Sequence, residues 1–178
     1  MPTGHVFIAT SLDGFIARPD GGIDWLLSRD TAGEDHGYGT FIADIDGIVM
    51  GRGSFEKVLT FDPWPYTKPV VVLSKQLSSS SVPDGLKEKV RVLDLAPKAA
   101  MEKLAHEGWR RVYVDGGQII QSFLRAGLIE DLVVTQIPVL IGKGRPLFGA
   151  LPRDLPLIHL ATKTFPSGLV QSRYQVTK

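Results

Sequence analysis

Asp46-Gly47-Ile48-Val49-Met50-Gly51-Arg52-Gly53-Ser54-Phe55-Glu56-Lys57-Val58-Leu59 changes its periodicity half-way along. Residues 46–50 form a short apolar run of the kind that becomes a buried strand, and from Ser54 onward the apolar residues recur at helical spacing. The stretch therefore predicts a strand that runs directly into a helix. Such a junction presents unpaired backbone N–H groups and a helix N-terminus to one spot, which suits a phosphate. Glycine lets the backbone approach closely, Arg52 adds a fixed bidentate charge, and the Ser54 hydroxyl can cap the helix or bind an oxygen. The same residues also suit an ordinary capped turn with an exposed arginine, and the local pattern leaves both readings open.

Working outward, Val6-Phe7-Ile8-Ala9 reads as a first buried strand ending at Ser11-Leu12-Asp13-Gly14. Pro19-Asp20-Gly21-Gly22 is turn chemistry, with Asp24 a candidate N-cap before Trp25-Leu26-Leu27. Phe41, Ile42 and Ile45 suggest a helix after a glycine-rich stretch. Pro69-Val70-Val71-Val72-Leu73-Ser74, Val90-Arg91-Val92-Leu93 and Val112-Tyr113-Val114-Asp115 are further β-branched strands. Pro97 opens a helix whose face is Ala100, Met101, Leu104 and Ala105, closing at Gly108. Ile119, Ile120, Phe123 and Leu124 mark another, ending at Gly127. Leu132–Ile137 is a strand, and residues 158–164 and 169–176 alternate around Pro166-Ser167-Gly168 as an antiparallel hairpin. Ser78-Ser79-Ser80-Ser81 is an exposed connector. Strand–helix alternation followed by strands predicts an α/β fold, a mostly parallel sheet with an antiparallel C-terminal edge, in one domain spanning residues 1–178.

Composition narrows the chemistry. The 178 residues carry a formal net charge of +1, with 22% charged and 43% hydrophobic residues, so no nucleic acid or acidic membrane is needed as a partner. The absence of cysteine removes disulfides, iron–sulfur clusters, zinc–thiolate sites and thiol nucleophiles. No segment approaches ~18 consecutive apolar residues and no export signal opens the chain, which points to a cytoplasmic protein. His5, His36, His106 and His159 are scattered, so no metal site is expected. Gly142-Lys143-Gly144 lacks P-loop spacing, and neither a Gly-x-Gly-x-x-Gly fingerprint nor a Gly-x-Ser-x-Gly elbow occurs.

Asp115-Gly116-Gly117-Gln118 forms a second strand–helix junction, and in an open α/β sheet the two would share the carboxyl edge, where ligands collect. Alone it also suits a tight turn with Asp115 as cap. Leu73-Ser74-Lys75 ends a third strand with a hydroxyl and an ammonium that could meet a 2′-phosphate. Asp13, Asp24 and Asp30 are acid candidates at the same edge, and Trp25 could stack on a heterocycle or belong to the core.

Ile48–Glu56, Val71–Ser74 and Val112–Leu124, in that order, resemble the cofactor segments of dihydrofolate reductases. Ser11–Ala17, Asp24-Trp25-Leu26 and Pro138–Phe148 look more like the reductase domain of the riboflavin-pathway bifunctional deaminase–reductase and its stand-alone relatives. The resemblance covers nearly the whole chain. It implies a dihydrofolate-reductase-like three-layer αβα sandwich and NADPH at Gly51, Arg52, Ser54, Leu73, Ser74, Lys75, Gly116, Gly117, Gln118 and Ile119, with the nicotinamide near Ala9 and Gly116. It implies catalytic roles for Asp13 and Asp115, a heterocyclic substrate near Trp25, Asp30 and Thr135, and a Gly116-Gly117 peptide able to be cis. Related stand-alone reductases are often homodimers. Where such reductases often hold the 2′-phosphate with an arginine, this chain has Gln118, leaving Arg52 and Lys75 to supply that charge. The implied activity is reduction of 5-amino-6-(5-phosphoribosylamino)uracil, with dihydrofolate reduction or a non-catalytic nucleotide-binding module as alternatives. No zinc deaminase signature is present, as expected for the reductase half.

Overall fold

The computed structural model describes residues 1–177. Its frame is an eight-stranded sheet built from β1 (Thr3–Ser11), β3 (Gly47–Gly51), β4 (Val70–Leu73), β5 (Val90–Leu93), β6 (Arg111–Asp115), β7 (Ile129–Ile137), β9 (Leu157–Thr164) and β10 (Val170–Val176). The order across the sheet is β5-β4-β3-β6-β1-β7-β10-β9. Pairing is parallel from β5 through β7 and antiparallel from β7 to β10 and β9. The fold is thus the mostly parallel α/β sheet with an antiparallel C-terminal edge that the alternation predicts.

Alternate residues of each strand serve opposite faces. Val6, Val49, Val71, Val112, Val114 and Leu132 pack against Ala100, Met101, Leu104, Ile120, Phe123 and Leu124 of α4 (Pro97–His106) and α5 (Gly117–Arg125). On the other face, Ile48, Met50, Val70, Val72 and Tyr113 meet Phe55 of α3 (Arg52–Val58) and Phe41 and Ile42 of α2 (Tyr38–Ala43). Three layers result. Fully buried Phe55 and Phe123 contribute roughly 1.5–3 kcal/mol each by burial. A Cβ at Gly47 would run into the Trp109 indole, so the ring fixes how closely β3 can pass beneath it.

Local differences from the sequence reading have local causes. α1 (Asp24–Leu27) is one turn, capped by Ile23 rather than Asp24, because Asp24 is taken by a bidentate pair with Arg18 at 2.7 and 2.8 Å. β7 extends back to Ile129, held by its parallel register with β1. The serine run contains a 3₁₀ turn, Ser79–Ser81, closed by a capping box from Ser78. Two short strands, β2 (Phe15–Ala17) and β8 (Arg145–Pro146), pair with each other outside the main sheet. Nothing in their periodicity predicts them.

Candidate active site

The β3–α3 and β6–α5 junctions are neighbours because their strands pair, Met50 opposite Asp115. Gly116 turns the chain into α5 with a φ of +95°, a conformation glycine tolerates and other residues rarely adopt. A Cβ there would lie 2.5 Å from the Ser54 Oγ, and one at Gly51 would lie 2.9 Å from the Ile119 side chain. The two glycines therefore let the two junctions pack closely together, a cradle of strand ends and helix starts at the carboxyl edge. Gly116-Gly117 is trans, since the cis bond in the described residues is Asp62-Pro63; the positive φ of Gly116 makes the turn instead.

Around the cradle, Arg52 is half-exposed and only loosely paired with Glu56 at 3.8 Å. The Ser74 Oγ accepts the amides of Gln76 and Leu77, which leaves its O–H free to donate. Lys75 and Gln118 are exposed, and Leu73 is buried in the core. Cations and hydroxyls thus gather at the ends of paired strands, a donor set that fits the phosphates of a dinucleotide.

Asp115 lies on the sheet face shared with Tyr113 and Phe7. Burial pushes its carboxyl up to about 6, against smaller opposing pulls from the Gly116 amide and the Tyr113 hydroxyl. Tyr38, Tyr66 and Tyr113 surround it. Burial first, and then the charge of Asp115, holds all three hydroxyls protonated above the ordinary tyrosine range. Tyr113 donates to the Phe7 carbonyl at 2.9 Å, and Tyr38 packs edge-on against both Phe7 and Tyr113.

Beside this group is a cavity of about 170 Å³ lined by Phe7, Ala9, Arg29, His36 and Thr135, among others. Thr135 is buried and accepts a hydrogen bond from Gln171 at 2.9 Å, so its own O–H is free to face a ligand. Ala9 and Thr135, neighbours in the β1–β7 register, both line this cavity.

Other candidates lie elsewhere. Trp25 is a core residue packed with Ile137, Phe165 and Leu169 rather than a stacking platform, with its indole N–H buried and unpartnered. The exposed Asp30 accepts the Ala32 amide, and the flanking Arg29 and Thr31 line the cavity. Asp13 is exposed and accepts from Ile141 and Gly142 at 3.2 and 2.8 Å. The Ser11 hydroxyl, then the Gly142 and Ile141 amides, hold its carboxyl below the usual range, so it is set up as an ionised loop clamp rather than a proton donor. The sequence reading gave no site role to Tyr38 at the start of α2, to Tyr66, Arg29 or His36.

Residues 2–170 match the model of the RibD C-terminal domain. The chain belongs to the RibD C-terminal domain family. Two curated relatives are uncharacterized proteins of Bacillus subtilis strain 168: YwjB, 32% identical over 90% of each chain, and YyaP, 28% identical over 94% of this chain and 91% of the relative. A Shewanella sp. PV-4 protein named for riboflavin biosynthesis superposes with a TM-score of 0.92 at 39% identity over 99% of both chains. The Thermotoga maritima deaminase/5-amino-6-(5-phosphoribosylamino)uracil reductase shares the fold, with a TM-score of 0.74 at 16% identity, and this chain spans 57% of its length. RibD C-terminal membership places the chain in a riboflavin-pathway reductase family. No helix among the described residues is long and apolar enough to cross a membrane.

Proposed function

We propose that this RibD-type domain is a cytoplasmic NADPH-dependent reductase acting on a C=N or C=O bond of a heterocyclic substrate, of the 5-amino-6-(5-phosphoribosylamino)uracil reductase type. The observation that carries the reading is the placement of Asp115: at the junction of the two glycine turns, on the face that carries the cavity, with a carboxyl raised to about 6. Reduced nicotinamide supplies a hydride to carbon. The protein must then deliver a proton to the adjacent nitrogen or oxygen, and a carboxyl titrating near 6 still offers its acid form close to neutrality. Thr135 and Arg29 orient the heterocycle from the cavity wall, and such positioning supplies a large part of the rate.

The test is oxidation of NADPH in the presence of the ribosylaminouracil phosphate, with dihydrofolate as the competing substrate. Turnover with the first and not the second is expected. Tight dinucleotide binding with no turnover of either would leave a binding module instead. Ser74→Ala and Lys75→Gln are expected to narrow the preference for NADPH over NADH by roughly tenfold, because they remove charge-assisted contacts to the 2′-phosphate. Paired fluorescence titrations with the two dinucleotides read that ratio.

A homodimer is part of this reading. Every residue of β9 is exposed at the free edge of the sheet, Leu157, Ile158 and Leu160 among them, and Phe148 and Leu151 are exposed nearby. Light scattering is expected to give twice the chain mass, and Leu160→Glu to shift it toward the monomer.

A further inference from the structure

Resting on the dinucleotide reading above, we propose that Arg145 binds the diphosphate bridge of the cofactor. Arg145 and Pro146 form β8, and this two-residue strand lies against both glycine junctions at once. The Arg145 guanidinium comes within 3.3 Å of where a Cβ on Gly53 would stand, and the Pro146 carbonyl within 2.8 Å of one on Gly117. A side chain at Gly117 would collide with the Pro146 backbone, whereas one at Gly53 would ask the guanidinium for only a small shift, so Gly117 is the glycine that admits the strap.

Several bonds hold the strap. Asp13 clamps Ile141 and Gly142 just before it, and Leu147 donates to the Gly14 carbonyl just after. Gln121 of α5 donates to the Pro146 and Leu147 carbonyls at 3.2 and 3.3 Å. The guanidinium is steadied by one hydrogen bond, Nε to the Pro19 carbonyl at 3.3 Å, and by contact with Gly21. No carboxylate pairs with it among the described residues. Asp20, in the same turn, is committed to the Gly22 amide, and Asp24 to Arg18.

A planar cation with most of its donors free, held beside the β3–α3 junction by a strap that also rests on the β6–α5 junction, suits an anion lying along that edge. In the dinucleotide the diphosphate is the group that bridges two such junctions, whereas the 2′-phosphate belongs at the end of β4 beside Ser74 and Lys75. Arg145 therefore adds a second guanidinium near Arg52 at the β3–α3 junction.

The experiment compares wild type, Arg145→Gln and Arg145→Lys by fluorescence titration with NADPH and with NADH, and by thermal melting. Arg145→Gln is expected to weaken both dinucleotides alike, by roughly tenfold or more, and to flatten the salt dependence of binding. Arg145→Lys is expected to retain a good part of the affinity. Kd values within twofold of wild type for Arg145→Gln would overturn the assignment, and so would equal losses in both variants, which would signal a damaged strap. Weakening of NADPH alone would overturn it in favour of a 2′-phosphate contact. If wild type binds neither dinucleotide, the cofactor reading itself falls, and the Arg145 assignment with it.

Discussion

Asp115→Asn is expected to lower turnover by roughly 10²–10⁴-fold while leaving the Kd for NADPH within about threefold of wild type. The amide preserves the shape of the carboxyl but has no proton of comparable acidity to give. The pH dependence follows from a carboxyl raised to about 6 from its ordinary 3.8. The acid form is lost as pH rises through about 6, so the rate of wild type should decline there, and the residual rate of Asp115→Asn should show no such limb. Stability falls in the same direction of pH. Between the two pKa values the native state binds more protons than the unfolded chain, so wild type loses stability as pH climbs from about 4 to 6. A shift of about two units corresponds to about 3 kcal/mol of destabilisation above pH 6. Asp115→Asn removes that term. Denaturant melts are expected to find it more stable than wild type at pH 8 and indistinguishable near pH 3. An activity loss accompanied by lower stability at pH 8 would assign Asp115 to structure instead.

Local chain geometry is the physical reason why Asp115 could be named as a candidate from sequence and its neighbours could not. The residue ends a β-branched strand before two glycines, a pattern fixed by local chain geometry. Gly51, Arg52, Ser54 and Gly116 were legible for the same reason, since each belongs to a strand–helix junction whose neighbours are adjacent in sequence. Tyr38 and Tyr66 come from segments with no readable period, and only the sheet order β3-β6-β1 brings them over one carboxyl. Arg145 was hidden differently. Gly142-Lys143-Gly144-Arg145 lacks P-loop spacing, and the position of Arg145 follows instead from pairing with Phe15–Ala17, a contact across more than a hundred residues. Asp13 shows the converse error. Its place after the first strand suggested an acid, and two amides of that distant loop make it a clamp.

Gly116→Ala is expected to remove most cofactor affinity and to destabilise the fold, by two separable mechanisms. The first is backbone strain: at φ +95° an L-residue costs about 1–3 kcal/mol, which for a chain of this size lowers the melting temperature by roughly 2–12 °C. The second is steric. The new methyl would stand 2.5 Å from the Ser54 Oγ and 3.6 Å from its Cβ, so Ser54 must leave the position from which it faces the cradle. A rise of roughly tenfold or more in the Kd for NADPH follows from losing that hydroxyl and narrowing the space together. Gly116→Ala combined with Ser54→Gly separates the two effects. The clash disappears with the hydroxyl while the positive φ stays, so the double variant should regain part of the affinity and little of the melting temperature. Gly85→Ala, with nothing within 4 Å of its new methyl, serves as the neutral control. Full recovery of stability in the double variant would mean that contact with Ser54, not the backbone conformation, is what demands glycine at the turn.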